Sequence, residues 1–329
     1  MLFLYTLQHF AVDGICGATL AAYAVNELYL EPIIYHFGIY NLIAFGSQFL
    51  FGYLFDKKTN LLPHAPIISF VLLGAGTFSE IGVLNQVILL GPGNSIFHVS
   101  VGSQVLRRWE NYKEPAFFVS GGAIGLALGL NLFIDEKIFL LIYAALTAVV
   151  FLSGKKFSAP ESEILPQKNF NLSMSVASAC VILLLGCVVL RSFGGGNTAQ
   201  YVMLFPCVFA VGKILGGLCC DKIGYKNTIG LIFILGFLSL QWSGLISAVI
   251  LALTFNMTMP LTLRLIHWCN PNYPGMMFGL AAGCLLPGFF FENFSVVPQA
   301  VIVIQFLSLF VAGALFNRAR AERISNHDI

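Results

Sequence analysis

Apolar runs of roughly 17–25 residues recur along the whole chain, and few charges interrupt them. A run of that length crosses about 30 Å of hydrocarbon at about 1.5 Å per helical residue. Lipid cannot satisfy backbone N–H and C=O groups, so a spanning segment must be a helix or a barrel strand. Barrel strands alternate polar and apolar residues. These runs are too long and too uniformly apolar for that, so they read as helices. Composition agrees. Hydrophobic types make up 58% of 329 residues and charged types 10%, against about 25% charged in a soluble domain. A net charge of +2 gives no ground for a nucleic-acid partner. The first run, Leu2 to Ala24, is too long for a signal-peptide core and contains Asp13, so it reads as a mature helix. The eight cysteines lie mostly within apolar runs as small packing residues. Neither Cys219–Cys220 nor His267-x-Cys269 has the paired spacing of a zinc site, so neither metal nor cofactor is expected.

The spacing predicts an all-α polytopic membrane protein with twelve transmembrane helices in two pseudo-symmetric six-helix bundles. The spans fall at about 2–24, 35–55, 65–80, 83–106, 115–134, 137–154, 173–193, 199–220, 227–241, 243–266, 275–292 and 297–317. The expected organisation is an N-terminal bundle (1–154), a polar linker (155–172), a C-terminal bundle (173–318) and a tail (319–329). With the N-terminus inside, the basic residues gather on the cytoplasmic side; Lys137 and Arg191 fall outside and Lys213 within a span. The expectation is a monomer in the lipid bilayer of a bacterial inner membrane, with both termini cytoplasmic.

The halves repeat. One span ends Gly52-Tyr-Leu-Phe-Asp56-Lys57, and another ends Gly217-Leu-Cys-Cys-Asp221-Lys222-Ile-Gly224-Tyr-Lys226. The two aspartates are 221 − 56 = 165 residues apart. Gly121, Gly122, Gly125 and Gly129 in the fifth span match Gly279, Gly283 and Gly288 in the eleventh. Small residues at such spacing let helix backbones approach closely. Parallel repeats suit alternating access around a midplane site.

The Gly-x-Leu-x-Asp-Lys turn and its echo resemble the signature loop of the major facilitator superfamily, the second copy more fully. His9-Phe-Ala-Val-Asp13 and Gly91-Pro-Gly-Asn-Ser-Ile-Phe97-His98 resemble segments of its fosmidomycin-resistance-like branch. The resemblance implies a proton-driven exporter of small drugs or metabolites. It also implies a central cavity lined by helices 1, 4, 7 and 10.

Asp13 lies about eleven residues into its span, roughly 16 Å deep. An ionised carboxylate there should face a cavity, pair, or be protonated. His9 is one turn earlier on the same face. The two can exchange a proton; a structural polar contact and a solute-cation site are the alternatives. His98 sits mid-span, either converging on that pair or bonded as a buried neutral histidine to a carbonyl. Asn94, Ser95, Lys213, Asn256 and Thr258 are candidate solute-binding residues, although Lys213 could instead snorkel to the inner interface. Gly52, Asp56, Arg107, Gly217, Asp221 and Arg264 are candidate gate elements, with Arg107 a possible partner for the aspartates. The alternative for the aspartates is a solvated loop charge.

A secondary transporter exchanging a small solute for protons is therefore expected. Uptake by symport or uniport is the alternative. A membrane-embedded enzyme is disfavoured, because no His-Glu-x-x-His or Gly-x-Ser-x-Gly string occurs. No ATP-binding Gly-rich motif occurs either.

Overall fold

The computed structural model describes residues 1–152, 173–193, 201–290 and 298–327. The expected linker, 155–172, lies outside the described residues, as do the side chains of 319–329. The described residues form fourteen α-helices and no strand: α1 (Leu2–Asn26), α2 (Leu30–Gly46), α3 (Gln48–Lys57), α4 (Ala65–Gly76), α5 (Val83–Arg108), α6 (Lys113–Leu130), α7 (Glu136–Leu152), α8 (Met174–Ser192), α9 (Leu204–Ile223), α10 (Tyr225–Ser239), α11 (Gly244–Cys269), α12 (Pro274–Gly283), α13 (Leu286–Phe290) and α14 (Pro298–His327).

Two expected spans are each broken in two. α2 and α3 meet at Gly46–Ser47, the Gly/Ser pairing at which helices kink. There Ser47 Oγ turns back to the Ile43 carbonyl at 2.6 Å. α12 and α13 part just before Pro287. A proline has no N–H to give, and its ring collides with the carbonyl four residues back.

Among the described residues, six helical stretches are long and apolar enough to cross a membrane: Leu30–Lys57, Thr59–Gly76, Met174–Ser192, Leu204–Ile223, Gly244–Cys269 and Gln299–Arg318. Large apolar side chains such as Leu141, Ile182, Ile234 and Phe310 point outward. Such a surface belongs in lipid, so the chain is an integral membrane protein. α1 and α5 are more polar for the opposite reason. They run through the interior and bury Gln8, His9 and Thr19, and Asn94, Ser95, His98, Ser100, Ser103 and Gln104.

α1 packs on α6 along a glycine seam. Gly121, Gly125 and Gly129 lie against the backbone carbonyls of Thr6, Phe10 and Gly14. Both sets advance by one helical turn, so the helices run parallel in continuous register. A Cβ at Gly125 would collide with the Phe10 carbonyl. α9 packs likewise on α11, with Gly212 against Leu253 and Gly216 against Met257. Two further packings join the early part of the chain to the late part: α3 on α12, and α6 on α9.

Candidate functional site

A cavity of about 590 Å³ lies between the first seven helices and the last seven. It reaches Leu130 and Asn131 at one end of α6, and Tyr201 and Val202 ahead of α9. At the opposite end of α6 and α9, Asp221 and the Asp56 of α3 join the early helices to the late ones.

His9, Asp13 and His98 come together on one wall of the cavity. His9 Nε2 is 3.2 Å from Asp13 Oδ2, and His98 Nε2 is 3.4 Å from Asp13 Oδ1. The two Nε2 atoms are 2.8 Å apart. His9 Nδ1 lies 2.8 Å from the Phe118 carbonyl, and His98 Nδ1 lies 2.9 Å from the Asn94 carbonyl. A carbonyl can only accept, so each Nδ1 carries a proton and donates it. The two Nε2 atoms then meet at 2.8 Å, their rings nearly perpendicular, with a carboxylate beside them. That arrangement repels itself unless a positive charge lies between the rings. A proton on either Nε2 would bond that ring to the other ring's nitrogen or to the Asp13 carboxylate.

Asn94 supports this group by donating from Nδ2 to Asp13 Oδ1 at 3.0 Å. Gly122 was not foreseen as part of it. A Cβ there would collide with the Asp13 carboxylate and the His9 ring, so only glycine lets α6 pass so near. The same three ligand atoms lie within 4.8 Å of one another and form the one grouping among the described residues that could hold a metal ion.

Of the expected solute-binding residues, Asn94 and Lys213 line the cavity. Lys213 Nζ donates to the Val119 carbonyl at 3.1 Å. Ser95, Asn256 and Thr258 lie away from it. Ser95 accepts from Ser47 Oγ at 3.0 Å beside the α2–α3 break. Asn256 bonds back to the Ala252 carbonyl, and its Cβ faces Gly212 on α9. Thr258 bonds the Phe255 carbonyl and faces Gln305 and Leu309 of α14. Depth along the chain placed these three; the side of the helix decided otherwise. Arg191, expected as an outer charge, is buried in the cavity wall and donates to Thr262 Oγ1 at 3.4 Å.

The six expected gate residues gather at the end where Asp56 and Asp221 sit. The Asp56 carboxylate accepts from the backbone N–H groups of Gly275 and Met276, at 3.0 and 2.8 Å, in the first turn of α12. It also accepts from Arg107 at 2.8 Å. Asp221 accepts from the N–H groups of Tyr112 and Lys113, at 2.9 and 3.0 Å, where α6 begins. Each aspartate thus satisfies free donors at the positive end of a helix. Gly52 and Gly217 make the approach possible. A Cβ on Gly52 would collide with the Gly275 carbonyl, and one on Gly217 would lie 2.6 Å from the Ala116 Cβ. Arg264 is fully buried and donates to the Leu106 and Asn111 carbonyls at 2.8–3.1 Å.

The fold is similar to that of a solved major facilitator superfamily transporter. Over 97% of the chain, and 98% of each partner, it is similar to the E. coli fucose:proton symporter FucP in two crystal structures. The TM-scores are 0.62 for a variant of that symporter and 0.59 for FucP in the outward conformation, each at 11% identity. No protein-family profile and no curated protein sequence matches the chain.

Proposed function

We propose that this protein is a proton-coupled secondary transporter that moves a small organic solute by alternating access. In this reading the helices are twelve spans in two six-helix bundles, 1–154 and 173–318. α2 with α3, and α12 with α13, each count as one span. The Asp56 and Asp221 turns face the cytoplasm of a bacterial inner membrane, because the basic residues gather there. Labelling of single cysteines at Lys57 and Glu80 on the same side would overturn that topology.

The observation that carries the coupling is the pair of Nε2 atoms 2.8 Å apart, each ring fixed by a carbonyl and flanked by Asp13. It is a site for one exchangeable proton, placed on the wall of the solute cavity. The two motifs on α1 and α5 favour export of the solute against proton entry, as in the fosmidomycin-resistance-like branch they resemble. Uptake together with a proton is the second reading, favoured by the likeness of fold to a symporter.

Solutes that raise the melting temperature of the purified protein identify ligands. In liposomes with an imposed pH gradient, wild type moves such a solute along with the gradient. Asp13→Asn keeps solute exchange and loses gradient-driven flux. Equal gradient-driven flux by both proteins rejects proton coupling, and the direction of flux separates export from uptake.

A further inference from the structure

Among the described residues, the cavity wall carries two cations that make no ion pair. Arg191 on α8 and Lys213 on α9 both line it. Among the described residues, Arg191 has a single acceptor, the Thr262 hydroxyl, at the long distance of 3.4 Å. A guanidinium has five N–H donors, so most of this one is unspent. Among the described residues, Lys213 has a single acceptor, the Val119 carbonyl. Among the described residues, neither cation has a carboxylate within 4 Å. The one carboxylate on the cavity wall, Asp13, is engaged by His9, His98 and Asn94. A buried cation at membrane depth is costly unless something neutralises it. Arginine in particular presents a fork that fits the two oxygens of a carboxylate or phosphonate. The rest of the wall is largely apolar, with Phe45, Phe209, Met259, Leu263 and Phe278.

We infer that the solute is a small organic anion, with its acidic group held by Arg191 and Lys213 and its apolar body against the aromatic and aliphatic wall. This rests on the reading of the cavity as the solute site. Arg191 is then a specificity-determining residue, lining the same cavity as His9, Asp13 and His98 but outside their contacts. The acidic group neutralises the cationic wall without displacing the contacts of Asp13.

Matched probes test this: benzoate, phenylphosphonate, benzamide and benzylamine, each at about 10 mM, with thermal unfolding of the purified full chain as the readout. The expected result is stabilisation by at least one of the two acids and none by the amide or the amine. Arg191→Gln and Lys213→Gln each lose that shift, with at least a tenfold weaker apparent affinity. Arg191→Lys, which keeps the charge, retains part of it. No shift with either acid overturns the inference, as does an equal shift with benzamide. So does a full shift in both glutamine variants. If a glutamine variant fails to give a single folded peak on size exclusion, the acid–amide comparison in wild type and Arg191→Lys decides. Acid binding without any gradient-driven flux keeps the anion site and removes the transporter reading. Flux of neutral solutes with no acid binding does the reverse.

Discussion

The two aspartate turns read alike in sequence but are built differently. Asp221 is exposed, binds two amides at the start of α6, and has no basic side chain within 4 Å among the described residues. Asp56 binds two amides at the start of α12 in the same way, yet its carboxylate is fully buried and paired with Arg107. The chain beyond them differs too. After Asp221, Gly224 takes a φ of +82°, open to glycine at little cost, and α10 starts at once. After Asp56 there is no such glycine, and a 3₁₀ stretch, Thr59–His64, leads into α4 instead. A repeated motif therefore yields one strong clasp and one weaker clasp at the same end of the molecule.

The comparison predicts unequal damage. Asp56→Asn leaves Arg107 without its anion, and breaking one partner of a buried pair costs about 3–5 kcal/mol. Chemical denaturation in detergent should show that loss, and a cysteine placed at Met276 in a cysteine-free background should label faster. Equal losses for Asp56→Asn and Asp221→Asn would abolish the distinction between the clasps. Gly52→Ala comes next, because the added Cβ meets backbone at Gly275 and Met276, which cannot rotate away. Stability should fall by about 2 kcal/mol, within the overpacking range. Gly217→Ala meets a side-chain methyl as well as backbone and should fall by less. Asp221→Asn removes a surface cap and should cost about 1 kcal/mol. The double variant Asp56→Asn/Asp221→Asn sharpens the matter further. If the clasps act independently, the losses add within about 0.5 kcal/mol. Lys57→Met is the smallest, since Lys57 is exposed and gives up one bond to Tyr273 Oη. Its unfolding midpoint should stay at the wild-type value.

Sequence alone carried the fold class a long way, because span length and charge placement are linear properties. It did not carry the breaks at Ser47 and before Pro287, since apolarity continues unbroken across both. His9 and Asp13 were legible as a pair because four residues make one helical turn. Their meeting with His98 depended on the packing of α1 against α5, which no spacing within one helix encodes. Ser95, Asn256 and Thr258 show the same limit from the other side, for their depth fits the cavity and their direction does not. Arg191 was missed for a clear reason. α8 is apolar all round, so no stripe marks its inner face. A basic residue in its last turn, ahead of Gly194-Gly-Gly, looks like an interfacial charge. Gly122 looked like one more packing glycine among four, and only its neighbours give it a place at the proton site.

α6 ties these parts together. Its first amides are held by Asp221, and one turn or so further on the Phe118 and Val119 carbonyls receive His9 and Lys213. Over so short a length, an α-helix behaves as a stiff rod about 9 Å long. Any displacement of that rod carries both carbonyls with it. The first carbonyl sets which nitrogen of His9 bears hydrogen. The second steadies the ammonium in the solute chamber. Six residues of one helix, with no loop in between, thus join the Asp221 contact to those of His9 and Lys213.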